Sequence, residues 1–142
     1  MSWLQQFRNR VQNWSAPPPL GVRGERAAAR FLKRQGYIIV VHSERDRIGE
    51  IDLVAIDGKT IVFVEVKTRT SHDRGHPAEA VDQEKQRRLT RVALSYLRRH
   101  DLLEYSARFD VVAITWPANQ KQPTIEHIKN AFEAVGSGQM FS

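Results

Sequence analysis

The stretch Ile61-Val62-Phe63-Val64-Glu65-Val66-Lys67 predicts a buried β-strand that ends in two charged residues. Its apolar residues are β-branched or aromatic, which is typical of a strand covered on both faces. Side chains alternate along a strand, so Glu65 and Lys67 share one face with Ile61 and Phe63 and lie about 6–7 Å apart at their Cα atoms. Because burying an unpartnered charge is costly, the two charges indicate a polar site at this end of the strand.

The composition fits one soluble α/β domain and excludes several kinds of site. The chain has 142 residues, of which 41% are hydrophobic, and it has no cysteine. Disulfide frameworks, thiolate metal sites and cysteine nucleophiles are therefore excluded. No apolar run approaches the ~20 residues of a membrane span, so we expect no integral membrane segment and a cytoplasmic location. Lys plus Arg exceed Asp plus Glu by 22 to 16, which favours nucleic acid as a partner but is also common in small basic proteins without one.

Residues 1–20 are predicted to form an arm that is separate from a single domain at residues 21–142. Apolar residues recur there at helical spacing, and Pro17-Pro18-Pro19 then forms a stiff spacer. The arm is equally consistent with docking to a protein partner, a second copy in a homodimer or a membrane surface, and with packing on its own domain. The apolar residues at this spacing are Trp3, Leu4, Phe7, Val11 and Trp14.

The rest of the chain predicts an α/β fold in the order helix, three antiparallel strands, helix, and one or two strands. A hairpin followed by a helical crossover implies a mixed β-sheet with helices packed against it. The predicted helices are 22–35, ended by Gly36, and a long one that begins at Ala78 or at Asp82 as N-cap and ends near His100. The predicted strands are Tyr37–Val41, Ile51–Ile56, Thr60–Lys67, Phe109–Thr115 and a short Thr124–Ile128, with a turn at Asp57-Gly58 and a loop at 68–77.

Three further charged residues lie where their elements predict apolar ones. Glu25 and Lys85 lie on the inward stripes of the two helices, and Asp52 lies in the second strand. Each has an ordinary explanation, namely compensation of the helix dipole for Glu25, a turn for Asp52, and extension into solvent for Lys85. One polar site at one end of the sheet explains all of them together with Glu65 and Lys67. On the second strand, Glu50, Asp52 and Val54 are predicted to share one face, and Ile51 and Leu53 the other.

Carboxylates beside a lysine, without cysteine or a paired-histidine motif, suit a hard cation such as Mg²⁺ or Mn²⁺. Asp52 and Glu65 are the predicted metal ligands, and the carbonyl of Val66 can add a third oxygen. Lys67 is predicted to orient the attacking water and to offset charge on a phosphoryl oxygen. The five histidines show no ligand spacing and are predicted to be surface residues; they are His42, His72, His76, His100 and His127.

The ordered motifs resemble those of the YraN-like proteins, bacterial members of the restriction-endonuclease-like PD-(D/E)xK nucleases. The resemblance covers roughly residues 21–132. It rests on Gly49-Glu50-Ile51-Asp52-Leu53-Val54 and Val62-Phe63-Val64-Glu65-Val66-Lys67-Thr68-Arg69, with Gly24-Glu25-Arg26-Ala27-Ala28, Gly36-Tyr37, Gly75-His76-Pro77, Glu79-Ala80-Val81, Lys85, Arg88-Leu89 and Arg108-Phe109-Asp110-Val111-Val112.

This resemblance implies a restriction-endonuclease-like mixed sheet with a catalytic site at one edge. Asp52 and Glu65 would bind metal, Lys67 would assist the attacking water, and Glu25 would complete the site, as in the similar Holliday-junction resolvases. The expected activity is metal-dependent endonuclease cleavage of DNA that leaves 5′-phosphates. Lys85 is expected at the rim of the site for a separate reason, because it begins the inward stripe of the second helix.

Arginines near this site would hold the DNA backbone independently of sequence. The alternatives are a nucleic-acid-binding accessory protein with little or no catalysis, and a scaffold that docks through residues 1–20. The arginines are Arg69 and Arg74 in the loop and Arg87, Arg88, Arg91, Arg98 and Arg99 on the long helix.

Overall fold

Two helices and five strands account for most of the described chain. The computed structural model describes residues 2–8, 18–71, 75 and 81–135. In chain order the elements are α1 (Leu20–Arg34), β1 (Ile38–Arg45), β2 (Glu50–Asp57), β3 (Thr60–Arg69), α2 (Gln83–Arg99), β4 (Ala107–Thr115) and β5 (Thr124–Phe132).

The strands form one mixed sheet in the order β1-β2-β3-β4-β5. β3 and β4 are parallel, and the other three neighbouring pairs are antiparallel. The parallel pair follows from α2, because a helical crossover returns the chain to the same end of the sheet. The predicted mixed α/β architecture is therefore confirmed, with β1 and β5 at the two edges.

The helices cover opposite faces of the sheet, as the alternation along β3 predicts. Val62 and Val64 pack in a cluster with the buried face of α1. Ile61 and Phe63 pack in a second cluster with α2. All four are at most 7% exposed, so β3 is the doubly covered central strand that its β-branched sequence indicates.

Several boundaries differ from the predicted ones. β1 continues to Arg45 and β3 to Arg69, because each strand keeps its pairing beyond the apolar stretch that marks it in the sequence. The turn between β2 and β3 consists of Gly58 and Lys59, one residue later than predicted, with Gly58 at φ +61°.

Each of the two helices has one end that follows local capping chemistry. α1 begins at Leu20, directly after Pro19, so its first residue comes from the segment assigned to the arm. Gly36 follows its C-terminus at φ +95°, the conformation that favours glycine there. Of the two starts considered for α2, Asp82 is the N-cap, and its side chain accepts a hydrogen bond from the Lys85 N–H at 2.9 Å.

The described part of the arm is a short helical segment, residues 3–8. Its aromatic rings Trp3 and Phe7 stack with their centroids 5.8 Å apart. Trp3, Leu4 and Phe7 are 75%, 51% and 52% exposed. Val11 and Trp14 lie outside the described residues. None of the helices in the described ranges is long and apolar enough to cross a membrane.

Candidate metal and nucleic-acid site

Asp52 interrupts the pairing between β2 and β3. The β2–β3 ladder runs from the pair Leu53–Val64 to the pair Asp57–Thr60. Just before it, Oδ2 of Asp52 accepts a hydrogen bond from the Val66 N–H at 2.7 Å. A side chain thus takes the place of a backbone acceptor in the ladder, which keeps the Val66 donor satisfied.

This interruption also changes which way Ile51 faces. Ile51 was predicted to share the face of Leu53, but it packs with Val54 in the cluster under α2. The prediction assumed strict alternation, which fails where the strand departs from its ladder at Asp52. Ile51 therefore contributes to the core beneath the site and is only 1% exposed.

Three carboxylates meet at the start of β2. An oxygen of Glu25, one of Glu50 and one of Asp52 all lie within 4.8 Å of one another. Glu25 comes from the first turns of α1, and the other two come from the beginning of β2. We call these three residues the acid cluster.

Burial and mutual repulsion shape the ionisation of the acid cluster. Burial raises the pKa of Asp52 to about 8, and the charges of Glu65, Glu25 and Glu50 add to this effect, whereas the Val66 N–H opposes it. Burial also raises the pKa of Glu25, with Glu50 and Glu65 contributing, while a hydrogen bond with Asp52 lowers it. The cluster therefore favours either a proton or a cation between its oxygens.

Glu65 lies beside the acid cluster but is held by a lysine. Its side chain is buried, and Oε1 lies 2.6 Å from Nζ of Lys85 on α2. The helical phase that predicted an inward Lys85 is confirmed. Glu65 is near enough to raise the pKa of Asp52, so the carboxylates form one electrostatic group even though Glu65 has its own cation.

Lys67 takes no part in this ion pair. It is exposed, and within the described ranges it forms no ion pair. It keeps the position on β3 two residues beyond Glu65, opposite Ala113 of β4. For Val66, the structure shows its N–H bound to Asp52, and the metal role of its carbonyl stays a prediction.

Glu50 is the member of the acid cluster that the sequence interpretation did not propose as a ligand. Its carboxylate accepts a hydrogen bond from the Ser43 hydroxyl and lies 3.9 Å from Arg45. Ser43 lies in β1 at φ +65°, an uncommon conformation for a residue with a side chain. The Glu50-x-Asp52 spacing was the available signal, because it predicted that both carboxylates share one face.

The close approach of α1 to the end of β3 depends on Gly24. A Cβ at this position would lie 1.9 Å from Oγ1 of Thr68, a distance that no real pair of atoms tolerates. Gly24 immediately precedes Glu25, so this contact sets the height of Glu25 above the strands. Glycine is required here because a side chain would not fit. The backbone freedom of glycine is not the reason, since Gly24 lies inside a helix.

A small pocket joins the acid cluster to the basic surface of α2. Its volume is about 250 Å³, and its lining includes Glu50, Lys85 and Arg88. Arg87 and Arg91 are exposed on the same helix. Positive side chains therefore lie next to the carboxylates, where a phosphate bound at the site would meet them.

Other arginines of the predicted DNA surface are engaged within the protein. Arg69 donates a hydrogen bond to the Gly75 carbonyl at 3.0 Å. Arg99 forms an ion pair with Glu44 at 2.6 Å, which links α2 to β1. Arg98 is exposed, and Arg74 lies outside the described residues.

The prediction that all histidines lie on the surface is wrong for His127. Its side chain is 8% exposed, and its Nε2 lies 2.8 Å from Oδ2 of the fully buried Asp110. Asp110 also receives hydrogen bonds from Arg108 and from the Asn130 N–H. His127 thus fastens β5 to β4, because a buried carboxylate requires partners. His42 and His100 are exposed, and His72 and His76 lie outside the described residues.

Sequence comparison identifies the family. The profile of "Uncharacterised protein family UPF0102" matches residues 24–114. The chain belongs to this family. A UPF0102 protein of Rhodopirellula baltica is 46% identical over 148 residues, which cover 96% of this chain and 89% of that protein. A UPF0102 protein of Geobacter sulfurreducens is 53% identical over 114 residues, or 80% of this chain and 88% of its own. A third, from Chlorobaculum tepidum, is 43% identical over 128 residues.

Proposed function

We propose that this protein is a divalent-cation-dependent nuclease that hydrolyses phosphodiester bonds in DNA. The observation that carries the proposal is the acid cluster of Glu25, Glu50 and Asp52 within 4.8 Å, set beside the Glu65–Lys85 ion pair. We also propose that its sheet is restriction-endonuclease-like. The order of α1, three antiparallel strands, a helical crossover and a parallel β4 supports that assignment.

The donor set of the acid cluster fits Mg²⁺ or Mn²⁺. These cations prefer carboxylate oxygens. Burial, together with repulsion from the neighbouring carboxylates, raises the pKa of Asp52, and a bound cation would offset both effects. Asp52 and Glu50 would hold the ion, with Glu25 and Glu65 as additional acceptors for it or for its water. A bound ion would supply Lewis-acid activation of the phosphate and of water.

Cationic side chains of the protein would position the phosphate and offset the charge of the buried Glu65 carboxylate. Lys85 forms an ion pair with Glu65 and gives that buried carboxylate a partner of opposite charge. The exposed ammonium of Lys67 is free to reach a phosphoryl oxygen and the water that attacks it. Arg88 lines the pocket next to Glu50 and would contact the neighbouring phosphate, as Arg87 and Arg91 would along the helix.

The test is a cleavage assay of the purified full-length chain on single-stranded, duplex, flap and four-way-junction DNA. Each substrate is incubated with Mg²⁺, with Mn²⁺ or with EDTA. We expect cleavage of at least one DNA structure in the presence of metal. Asp52→Asn and Glu65→Gln should abolish cleavage and leave DNA binding intact or tighter, because less negative charge faces the phosphate.

Glu133→Gln is the matched control, because this carboxylate is exposed on the chain after β5. It should cleave like the unmodified protein, whereas an activity that survives Asp52→Asn would point to a contaminating nuclease. If no DNA structure is cleaved with either metal while DNA binding is normal, the nuclease proposal is wrong and the accessory DNA-binding function replaces it.

A further inference from the structure

An apolar groove lies at the end of the molecule opposite the acid cluster. It has a volume of about 610 Å³ and is lined by side chains of β1, β2, the start of β3, the end of α2 and the segment that follows α2. Lys85 contacts Glu65 beside the acid cluster, and Tyr96 lines the groove. The two residues are 11 positions apart on α2, which corresponds to about 16 Å along the helix axis. The lining includes Val40, Val54, Ile56, Tyr96, Leu102 and Tyr105.

The rim of this groove leaves large apolar side chains in solvent. Val40 is 46% exposed and Tyr105 is 49% exposed. Ile38, at 64%, pairs directly with the groove residue Ile56 across the two strands. β1 is also an edge strand. Exposed apolar surface on an edge strand commonly marks a place of contact with another chain.

The helical segment at residues 3–8 has the complementary surface. Trp3, Leu4 and Phe7 are more than half exposed, and the two rings are stacked into one apolar ridge. Two aromatic rings bury about 150–250 Å² each. In a two-fold dimer both copies contribute, and the groove walls add a comparable area, which reaches the ~1,200–2,000 Å² of specific interfaces.

The charges beside the two surfaces are also complementary. Residues 1–20 contain Arg8 and Arg10 and no acidic residue. The segment between α2 and β4 that supplies Leu102 and Tyr105 to the groove also carries Asp101 and Glu104. Both are exposed, and neither forms an ion pair in the part of the chain that the structure describes.

We propose that the residue 3–8 segment of one copy docks in the apolar groove of a second copy, so that two copies exchange their arms in a symmetric dimer. The arm joins α1 at Leu20, on the face of the sheet opposite α2 and at the acid-cluster end. A return to its own groove would have to pass the length of the sheet and go around its edge. A second copy meets the arm without that constraint, and the two contacts are equivalent by symmetry.

The first test is sedimentation velocity of full-length variants over a wide range of protein concentration. We expect a concentration-dependent dimer. Trp3→Ser combined with Phe7→Ser should weaken self-association at least tenfold. Val40→Lys should do the same from the groove side, because it places a cation where the basic arm docks. Val22→Ser is the control, since Val22 is 39% exposed but belongs to neither surface.

The second test separates exchange between copies from docking within one chain. The chain has no cysteine, so Phe7→Cys and Val40→Cys each introduce a single thiol. Mixing the two variants under mild oxidation should give a covalent dimer joined at these positions, identified by peptide mass analysis. Mixing Phe7→Cys with Val22→Cys should give no covalent dimer joined at positions 7 and 22.

The proposal is overturned by either of two results. One is an unchanged sedimentation profile in the Trp3→Ser, Phe7→Ser variant. The other is a disulfide that forms only inside a single chain carrying both Phe7→Cys and Val40→Cys. Neither result bears on the nuclease proposal, because these variants leave the acid cluster and the arginines of α2 unchanged.

Discussion

Asp52 lies in an environment that is unfavourable for an ionised carboxylate. Its pKa is raised to about 8, against about 3.9 in an unfolded chain. Between these two values the folded state binds more protons than the unfolded state. The free energy of unfolding therefore falls as pH rises across this window, and the site costs stability where it is ionised.

Replacing Asp52 by Asn should consequently stabilise the protein at alkaline pH. We expect a melting temperature roughly 5 °C higher than that of the unmodified protein at pH 8–9 in EDTA, and no difference near pH 4. Thermal unfolding followed by circular dichroism at several pH values measures this. Added Mg²⁺ should reduce the difference, because the cation stabilises only the unmodified protein. Equal melting temperatures at every pH would show that Asp52 is not strained by its neighbours.

The two lysines near the site should separate a positioning role from a catalytic one. Lys85→Met removes the partner of a buried carboxylate, so we expect it to cost about 3 kcal/mol of unfolding free energy. Lys67→Met changes an exposed side chain and should cost no more than about 0.5 kcal/mol, yet it should abolish cleavage without loss of metal affinity. Urea unfolding, metal titration and the cleavage assay together test this. If the Lys67→Met protein cleaves normally, Lys67 is not the catalytic lysine, and the catalytic role would be assigned to Lys85.

At the scale of the elements, Gly24 controls how closely α1 approaches β3. In Gly24→Ala the new methyl group would collide with Thr68, so α1 must move and carry Glu25 away from the acid cluster. We expect a loss of about 2 kcal/mol of stability and at least a tenfold loss of cleavage. Thr68→Ala in the same chain should restore part of both, because it removes the nearest atom.

A double-mutant cycle of these two positions quantifies that coupling. The single variant Thr68→Ala should have nearly normal cleavage, which makes it the control. Additive effects of the two substitutions would mean that the contact between Gly24 and Thr68 does not determine the position of α1.

The same elements show what could be predicted from the sequence and what could not. The periodicity of β3 predicted which of its residues face each helix, and the phase of α2 predicted an inward Lys85, because both follow from local geometry. The rotation of Ile51 could not be predicted, since it depends on a hydrogen bond that Asp52 accepts from the Val66 N–H, 14 positions away.

β5 is longer than the predicted Thr124–Ile128, and its length also depends on contacts between distant parts of the chain. It has 9 residues and continues to Phe132, although its second half carries Lys129 and Asn130 and lacks a strand pattern. Its length depends on contacts with β4, in particular the bonds from His127 and the Asn130 N–H to Asp110. A partner strand that is close only in the folded protein therefore decides where β5 ends.

On the scale of the whole molecule, the acid cluster and the apolar groove lie at different ends. The protein carries a net charge of +6, yet the acid cluster gathers three carboxylates at one end, beside the exposed arginines of α2. The apolar groove occupies the other end. The two proposed contacts, with DNA and with a second copy, would therefore not compete, because neither surface overlaps the other.

The proposed nuclease function predicts that DNA affinity depends on the arginines of α2 and on ionic strength. Arg87→Ala with Arg91→Ala removes two exposed charges one helical turn apart. Binding should weaken by a similar factor on all DNA sequences, because phosphate contacts carry no sequence information. The slope of log affinity against log salt should become shallower by about 2, since each phosphate contact on duplex DNA contributes about 0.9.

Arg30→Ala with Arg34→Ala provides the matched control, as these residues are also exposed and four positions apart, but on α1. It changes the net charge by the same amount, so a general electrostatic effect would alter both slopes equally. Fluorescence anisotropy with labelled duplexes of two unrelated sequences, over a series of salt concentrations, measures the slopes. A shallower slope in the α2 variant alone places the DNA backbone on α2, beside the pocket that Arg88 shares with Glu50. Equal slopes in the two variants would instead mean that the net charge of the whole molecule, and no particular face, attracts the DNA.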